Sequence, residues 1–387
     1  MNSIIKRYLR YVTAGTLCSA MLLMTMTGCK SQEPSLVETG DESTSAPTEL
    51  TASLATTTES QPPTATPTPV MPRMNPPEVD TTAPFFLNLP ETVYVKVGDD
   101  FDIDKQIGYI DNCDAEVELT VDGEVDTSTA GKYPLNLTLT DDAGNTKTGS
   151  LTVSVYVPSN NGGGGGGDSG HKTLAFSDFM ARYPGEDIAY GIDVSRYQGD
   201  IDFNKVKAAG CDFVYLRAMI YNNGELGVDK KFEEYYRDAK AAGLVIGVYY
   251  FSTDCTSEEL QAHSAELLKV LEGKEIDLPI AFDWESWNHF QKYKMSIVDL
   301  NNLFYEFAWL MKANNYETIL YGSKYYLESI WEPAGYDVWM AHYVKETDYA
   351  GNYTIWQTGS IGRIDGVPED CDTDILFKSK YPDIFGG

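Results

Sequence analysis

The spacing of hydrophobic and polar positions changes three times along the chain, and each change predicts a different structure. An uncharged, mostly apolar run occupies residues 11–26. Short stretches in which apolar and polar residues alternate lie between 92 and 157. From 188 onward, apolar runs typical of buried strands take turns with segments of helical period. The chain is therefore predicted to contain a small all-β domain followed by a larger α/β domain.

Four alternating runs carry the prediction of the first domain, which we place at residues 81–157. Turn residues such as Gly98, Gly123 and Gly144 separate these runs. Short strands at this spacing are typical of an Ig-like β-sandwich. The predicted strands are 92–97, 117–121, 135–139 and 151–157.

The second domain, at residues 186–387, is predicted to be α/β, with an irregular TIM-like β/α barrel. Alternation of strands and helices implies a parallel sheet with helices outside it, and about eight strands suggest closure into a barrel. The late strands have few helices between them, which makes the barrel irregular. The predicted strands are 188–194, 213–220, 244–251, 278–284, 318–321, 337–343, 353–358 and 363–367.

The N-terminus has the pattern of an export signal, placed at residues 1–28. Basic residues precede an apolar run that is too short to span a membrane comfortably. Gly28 before Cys29 resembles a bacterial lipobox, which predicts lipidation of Cys29 and a cell-surface lipoprotein, extracytoplasmic and anchored to the bacterial membrane. An ordinary cleaved signal or an uncleaved anchor is the alternative.

Two tethers are predicted from composition. Residues 29–80 read as a disordered Thr/Pro/Ser-rich stalk, because positions 33–80 contain 10 Thr, 9 Pro and 5 Ser. Residues 158–185 read as a Gly-rich linker, with six consecutive glycines at 162–167.

The net charge of the chain limits the classes of molecule that it can bind. The chain has 58 acidic and 29 basic residues, a net charge of −29, which argues against nucleic acid as a partner. We expect a monomer with no cofactor. No metal site is predicted, since the Asp-rich turns of the β domain read as solvated acids rather than Ca²⁺ ligands.

Free thiols are favoured at Cys113, Cys211, Cys255 and Cys371, with one bridge among the last three as the alternative.

Candidate chemistry lies where the barrel strands end. Asp193 closes the first predicted strand, and Asp283 and Glu285 close the fourth. Because side chains alternate along a strand, these last two share one face. Neighbouring carboxylates repel, so one should hold a proton near neutral pH, as cleavage of a glycosidic bond requires. A salt-bridge network or a metal site is the alternative.

These residues belong to motifs that resemble a known family. The segment Gly191–Gly199, the triplet Asp283-Trp284-Glu285, and the later runs 338–343, 355–357 and 371–374 are similar to glycoside hydrolase family 25, the Chalaropsis-type lysozymes. One departure is Tyr250, where the family often has His. Residues 83–157 resemble bacterial Ig-like repeats of surface proteins.

The resemblance implies a muramidase that cuts the β-1,4 bond between N-acetylmuramic acid and N-acetylglucosamine in peptidoglycan. Carried over by position, Glu285 is the general acid, Asp283 orients the acetamido group or stabilises the transition state, and Asp193 and Asp372 complete the cleft. A non-catalytic wall-binding or adhesion lipoprotein, or a glycosidase of another N-acetylated glycan, is the alternative. Aromatic side chains expected to contact sugar are Tyr197, Tyr249, Tyr250, Trp339, Tyr343 and Trp356.

Overall fold

The computed structural model describes residues 71–158 and 172–386. The predicted signal, Cys29 and most of the predicted stalk lie outside the described residues, as does the run of glycines. Among the described residues, no helix combines the length and the apolar character needed to cross a membrane.

The N-terminal part of the described chain is all-β and has two sheets. The larger sheet has the strand order β2-β6-β5-β4, in which β2 and β6 run parallel, and β1 pairs with β3 in the smaller one. All four strands predicted here are present, and two of them begin earlier than predicted: β5 at Gly131 rather than 135, and β6 at Thr146 rather than 151. The strands are β1 Phe85–Asn88, β2 Thr92–Lys96, β3 Gly108–Ile110, β4 Glu118–Asp122, β5 Gly131–Thr140 and β6 Thr146–Tyr156.

The C-terminal part is a mixed α/β fold around a closed barrel of eight strands. Its order is β8-β9-β11-β12-β13-β14-β15-β16, and β16 returns to pair with β8. Short strands β7 and β10 extend the sheet beside β15 and β9. The strands are β7 Leu174–Ala175, β8 Ile188–Val194, β9 Phe213–Asn222, β10 Glu225–Val228, β11 Val245–Ser252, β12 Ile280–Trp284, β13 Thr318–Ser323, β14 Asp337–Ala341, β15 Ile355–Arg363 and β16 Cys371–Phe377.

The last barrel strand corrects the sequence prediction. Residues 363–367 were expected to form the eighth strand, but β15 ends at Arg363 and the chain then turns at Gly366, which has φ +97°. The eighth strand is β16, and it runs antiparallel to both neighbours. An antiparallel strand presents its first residues, rather than its last, at the edge where the parallel strands end.

Helices cover the outside of the barrel and leave a separate core within it. The interior core contains residues such as Tyr215, Ala281 and Trp339, whereas Phe282 and Trp284 pack outward among the helices. The helices are α1 Phe176–Arg182, α2 Phe203–Ala208, α3 Phe232–Ala241, α4 Ser257–Leu271, α5 Ile297–Ala313, α6 Lys324–Ser329 and α7 Pro382–Phe385.

Both predicted tethers are shorter than expected at the end nearest the barrel. Helix α1 falls within the predicted linker, but Phe176 and Phe179 are buried against the barrel. In the predicted stalk, the backbone of Met74 exchanges two hydrogen bonds with the side chain of Asn302 on α5, at 2.9 and 3.0 Å. Apolar contacts therefore order both segments despite their composition.

The β domain contacts the barrel directly at the start of α5. The backbone N–H groups of Ile297 and Val298 donate to the carbonyl oxygens of Asp111 and Asn112, at 2.9 and 3.1 Å. These donors belong to the first turn of a helix, where N–H groups have no partner within the helix itself. The β domain thus supplies acceptors that the barrel lacks.

Candidate active site

All four predicted catalytic acids lie at one edge of the barrel. Asp193 is near the end of β8, Asp283 is near the end of β12, and Glu285 follows β12 directly. Asp372 is the second residue of β16 and pairs with Asp193 across the sheet. The antiparallel direction of β16 is what brings Asp372 to this edge.

Strand β12 sorts its side chains as the alternation predicts. Ala281 belongs to the barrel interior, and Phe282 and Trp284 belong to the outer core. The indole N–H of Trp284 donates to the carbonyl oxygen of Asp254 at 3.0 Å, which fixes this end of the strand. Asp283 therefore points inward, with only 6% of its surface exposed.

Burial sets the protonation of the acidic pair. Desolvation raises the pKa of Asp283 well above its ordinary value, and the charges of Glu285 and Asp193 raise it further. Burial, with a smaller contribution from Asp372, raises the pKa of Glu285 to about 7. The site therefore retains a proton at a pH where exposed carboxyls have lost theirs.

A glutamine links the acids to two tyrosines. The side-chain N–H of Gln357 on β15 donates to Asp193 Oδ2 at 2.7 Å. Its carbonyl oxygen accepts from the hydroxyls of Tyr321 and Tyr343, at 3.0 and 2.7 Å. These bonds hold Gln357 in one orientation, so the Asp193 carboxylate is held with it.

A fifth acid lies below the predicted four. Asp374 is fully buried, two residues after Asp372, and accepts from the indole N–H of Trp339 at 2.9 Å. Burial, with smaller contributions from Asp193 and Asp372, raises its pKa well above the ordinary value. Residues two positions apart in a strand face the same side, so Asp374 could have been predicted to face the site together with Asp372. The sequence prediction nevertheless left Asp374 out of the site.

Arg217 is a second residue missing from the prediction. It lies on β9, donates to Asp229 Oδ2 at 2.8 and 2.7 Å, and is 7% exposed. Its charge lowers the pKa of Asp283, and its guanidinium lies 5.1 Å from the ring centre of Tyr197. A single charge within the apolar run 213–220 was the signal that could have identified it.

The predicted sugar-contacting aromatics divide into two groups. Tyr197 and Tyr343 are partly exposed, at 41% and 36%, and Tyr249 is half-buried beside the acids. Trp339 is nearly fully buried inside the barrel, below the edge.

Tyr250 and Trp356 instead point outward, away from the acids. The Tyr250 hydroxyl donates to Asp254 at 2.9 Å, and the Trp356 indole donates to the carbonyl oxygen of His342 at 2.8 Å. Both side chains pack in the outer core. Side-chain alternation is responsible, because the neighbours Tyr249 and Gln357 take the inward positions.

Within the described residues, Cys113, Cys211, Cys255 and Cys371 are free thiols. Within the same residues, one group of side chains has donor atoms close enough for a metal ion. It lies in the β domain rather than among the catalytic acids, and consists of Asp80, Asp111, Cys113 and Asp114.

Comparison with known proteins gives matches for both domains. Residues 192–367 match the family described as glycosyl hydrolases family 25, and residues 85–155 match the bacterial surface protein Ig-like domain.

Two curated relatives are similar to about half of this chain. An autolytic lysozyme of Clostridium acetobutylicum is 26% identical over 189 residues, which are 48% of this chain and 54% of the relative. Lysozyme M1 of Streptomyces globisporus is 27% identical over 198 residues, 47% of this chain and 65% of the relative. The chain thus spans about half to two thirds of the length of these relatives.

Among solved structures, a bacterial lysozyme from Streptomyces coelicolor is 25% identical and aligns with a TM-score of 0.42, covering 49% of this chain and 91% of that one. The family match includes Asp193, Asp283 and Glu285, the acids that β8 and β12 bring to one edge. The chain therefore carries a glycosyl hydrolase family 25 domain, preceded by a bacterial surface Ig-like domain.

Proposed function

We propose that this chain is a lysozyme that hydrolyses the β-1,4 bond between N-acetylmuramic acid and N-acetylglucosamine in peptidoglycan. The observation that carries the proposal is the acidic pair at the end of β12. There Glu285 has a pKa of about 7 beside the inward-facing Asp283. The names of both curated relatives, an autolytic lysozyme and lysozyme M1, support it.

Glu285 is the general acid of the proposed reaction. Burial and the neighbouring acids raise the pKa of Asp283 as well, with the charge of Arg217 opposing them, so the pair shares a proton. We assign its transfer to Glu285 because Glu285 occupies the general-acid position of the motif. A carboxyl with a pKa near 7 is a strong enough acid to protonate a leaving glycosidic oxygen and is still protonated near neutral pH. Glu285 gives its proton to that oxygen as the bond to the anomeric carbon breaks.

Asp283 orients the substrate. Its Oδ1 is buried and has no hydrogen-bond partner among the described residues, so it is suited to accept the N–H of an acetamido group. The acetamido carbonyl oxygen then bonds to the anomeric carbon while the leaving oxygen departs. Water afterwards attacks that carbon and gives a proton to Glu285, while the bond from the carbon to the acetamido oxygen breaks and its electron pair returns to the acetamido group. This acetamido-assisted route is the one that we favour for an N-acetylated substrate.

The exposed aromatics suit a polysaccharide. Tyr197, Tyr249 and Tyr343 lie around the acids with flat apolar faces and hydroxyl groups, which stack on sugar rings and bond to sugar oxygens. No metal or cofactor takes part in the proposed steps.

Digestion of purified peptidoglycan tests the proposal. The full chain should release fragments whose new reducing ends, read by mass spectrometry, are N-acetylmuramic acid. Reducing ends of N-acetylglucosamine would indicate a different glycosidase. Binding to the glycan without any new reducing end would indicate the non-catalytic wall-binding protein.

Two further proposals concern the fold and the location of the protein. We take the barrel as an irregular TIM-like β/α barrel and the N-terminal domain as an Ig-like sandwich.

We further propose that the chain is exported as a monomer and anchored to the bacterial membrane by lipid on Cys29. Metabolic labelling with an alkyne fatty acid should mark the native chain, while Cys29→Ala should lose the label. Equal labelling of both would exclude Cys29 as the anchor.

A further inference from the structure

A cluster of carboxylates in the Ig-like domain has no catalytic role and no basic partner. Asp80, Asp111 and Asp114 each place a carboxylate oxygen, and Cys113 its sulfur, within 4.8 Å of one another. Among the described residues, none of the three carboxylates forms an ion pair; the nearest one in sequence joins Glu116 to Lys294. Three negative charges at this spacing repel each other strongly unless something positive lies between them.

Asp111 is the central residue of this cluster and is completely buried. Its Oδ1 accepts the backbone N–H groups of Cys113 and Asp114, both at 2.9 Å. Its Oδ2 is also buried and has no hydrogen-bond partner among the described residues. A buried carboxylate oxygen without a partner is costly, so this oxygen points to a ligand that the protein chain does not supply.

Neighbouring groups hold the other two carboxylates in place. Asp80 Oδ1 accepts from the side-chain amide of Asn112 at 3.0 Å, and Asp114 Oδ2 accepts the backbone N–H of Asp142 at 3.0 Å. The carboxylate oxygens are therefore already arranged around a small volume.

We propose that Asp80, Asp111 and Asp114 form a Ca²⁺ site. Oxygen donors select hard cations, and Ca²⁺ takes several of them at about 2.3–2.6 Å in flexible geometry. Two oxygens on opposite sides of such an ion are about 4.8 Å apart, which agrees with the spread of the donor atoms. The single thiol, of Cys113, is outnumbered by oxygen, which disfavours Zn²⁺.

The site also lies at the junction with the catalytic domain. The carbonyl oxygens of Asp111 and Asn112 accept the first backbone N–H groups of α5, and the loop that leads into α5 begins at Glu285. Ca²⁺ would fix the Asp111–Asp114 turn and so hold the acceptors on which that helix depends. The cation is thereby expected to order the contact between the two domains.

Calorimetric titration of the chelator-treated full chain with CaCl₂ tests the site. One Ca²⁺ per chain is expected. Asp111→Asn keeps the Oδ1 acceptor, and Asp80→Asn and Asp114→Asn change partly exposed positions; each variant should weaken binding by about tenfold or more. Asp142→Asn is the matched control, because it removes a nearby exposed charge outside the donor set, and its affinity should stay within about twofold.

A second measurement follows the junction itself. Hydrogen exchange at the amides of Ile297 and Val298 should slow when CaCl₂ is added to the wild-type chain and to Asp142→Asn, but not to Asp80→Asn. The proposal is overturned if Ca²⁺ does not bind saturably or if MgCl₂ or ZnCl₂ binds in its place. Calcium binding that all three variants retain would place the ion elsewhere and overturn the proposal as well.

Discussion

The catalytic edge and the domain junction both concentrate carboxylates, but the protein surrounds the two clusters differently. At the catalytic edge, Gln357, Trp339 and Arg217 contact or influence the acids, and burial raises the pKa values of Asp283, Glu285 and Asp374. At the junction, the donors to the central Asp111 are backbone N–H groups, and among the described residues no basic side chain pairs with the cluster. The comparison teaches that an acidic cluster with a buried cationic neighbour can hold its charge within the protein, whereas one without such a neighbour points to a bound cation.

Replacing the general acid should have the largest effect. Glu285→Gln keeps the shape of the side chain but cannot donate the proton, so turnover of peptidoglycan should fall by about 10³-fold. Binding of the glycan, measured by sedimentation with insoluble peptidoglycan, should be retained. Turnover near the wild-type level would remove Glu285 from this role, and Glu118→Gln, on an exposed strand of the β domain, is the control.

The pH dependence of kcat/KM should reflect the ionisation of Glu285. Since the pKa of Glu285 is about 7, kcat/KM should fall about tenfold per pH unit above that value. The folded pKa also lies above the ordinary 4.5, so the native state holds the proton more tightly than the unfolded chain. Its contribution to stability is complete below about pH 4.5 and is lost as the pH rises through 7.

Thermal melting tests the raised pKa of Glu285 without relying on activity. Glu285→Gln should be more stable than the wild-type chain at pH 8, by about 1–3 kcal/mol, because it carries no buried charge. The two proteins should converge at pH 4. A stability difference that is independent of pH would contradict the raised pKa.

A substitution in the Ig-like domain tests whether a change at the contact between the two domains alters catalysis at the barrel edge. A Cβ added to Gly108 would overlap the backbone carbonyl oxygens of Trp287 and Asn288, two and three residues after Glu285. Gly108→Ala should shift that loop and lower kcat by about tenfold, since small displacements of catalytic groups are costly. Gly227→Ala is the control, because its added methyl group meets open space. Equal kcat for both variants would show that the domains are uncoupled.

The buried acid Asp374 offers a test on stability rather than turnover. Trp339→Phe removes the one indole donor to Asp374 Oδ1, and the free energy of unfolding should fall by about 1–3 kcal/mol beyond the loss of volume. Trp331→Phe is the matched control, because Trp331 is equally buried but its indole N–H has no partner in the part of the chain that the structure describes. Denaturant unfolding of both variants measures the difference, and equal losses would mean that the hydrogen bond contributes nothing.

The smallest effect is expected at the boundary between the edge and the outer core. Tyr249→Phe should raise KM a few-fold with little change in stability, because Tyr249 faces the acids. Tyr250→Phe should leave KM unchanged but cost about 1 kcal/mol of stability, since it removes the hydrogen bond to Asp254. Steady-state kinetics and melting curves check the pair, and the reverse pattern would mean that the assignment of faces is wrong.

Much of this edge could be predicted from local pattern. Asp193, Asp283 and Glu285 end apolar strands, and alternation along β12 correctly separated Asp283 from Trp284. Alternation could not predict which of Tyr249 and Tyr250 faces the acids, because both are aromatic and either one fits the inner or the outer face of an apolar strand. The register also shifts at this point, where β9 has one extra residue opposite β11.

What the sequence could not predict depends on contacts between distant segments. Gln357 joins the site only because β15 lies near β8, although the two are more than 160 positions apart. Strand β16 was missed altogether, since Asp372 and Asp374 interrupt its apolar pattern. The ordering of Met74 was missed because composition alone does not reveal its partner, Asn302.

The hydrogen bonds from Ile297 and Val298 to the Ig-like domain have a practical consequence. The polypeptide passes from that domain to the barrel through residues 159–171, yet the contact itself is made much later in the sequence. A protease that cuts between 158 and 172 would break the chain without removing this contact. The two fragments should therefore co-elute in gel filtration, and a nick at the glycine run would be visible only under denaturing conditions.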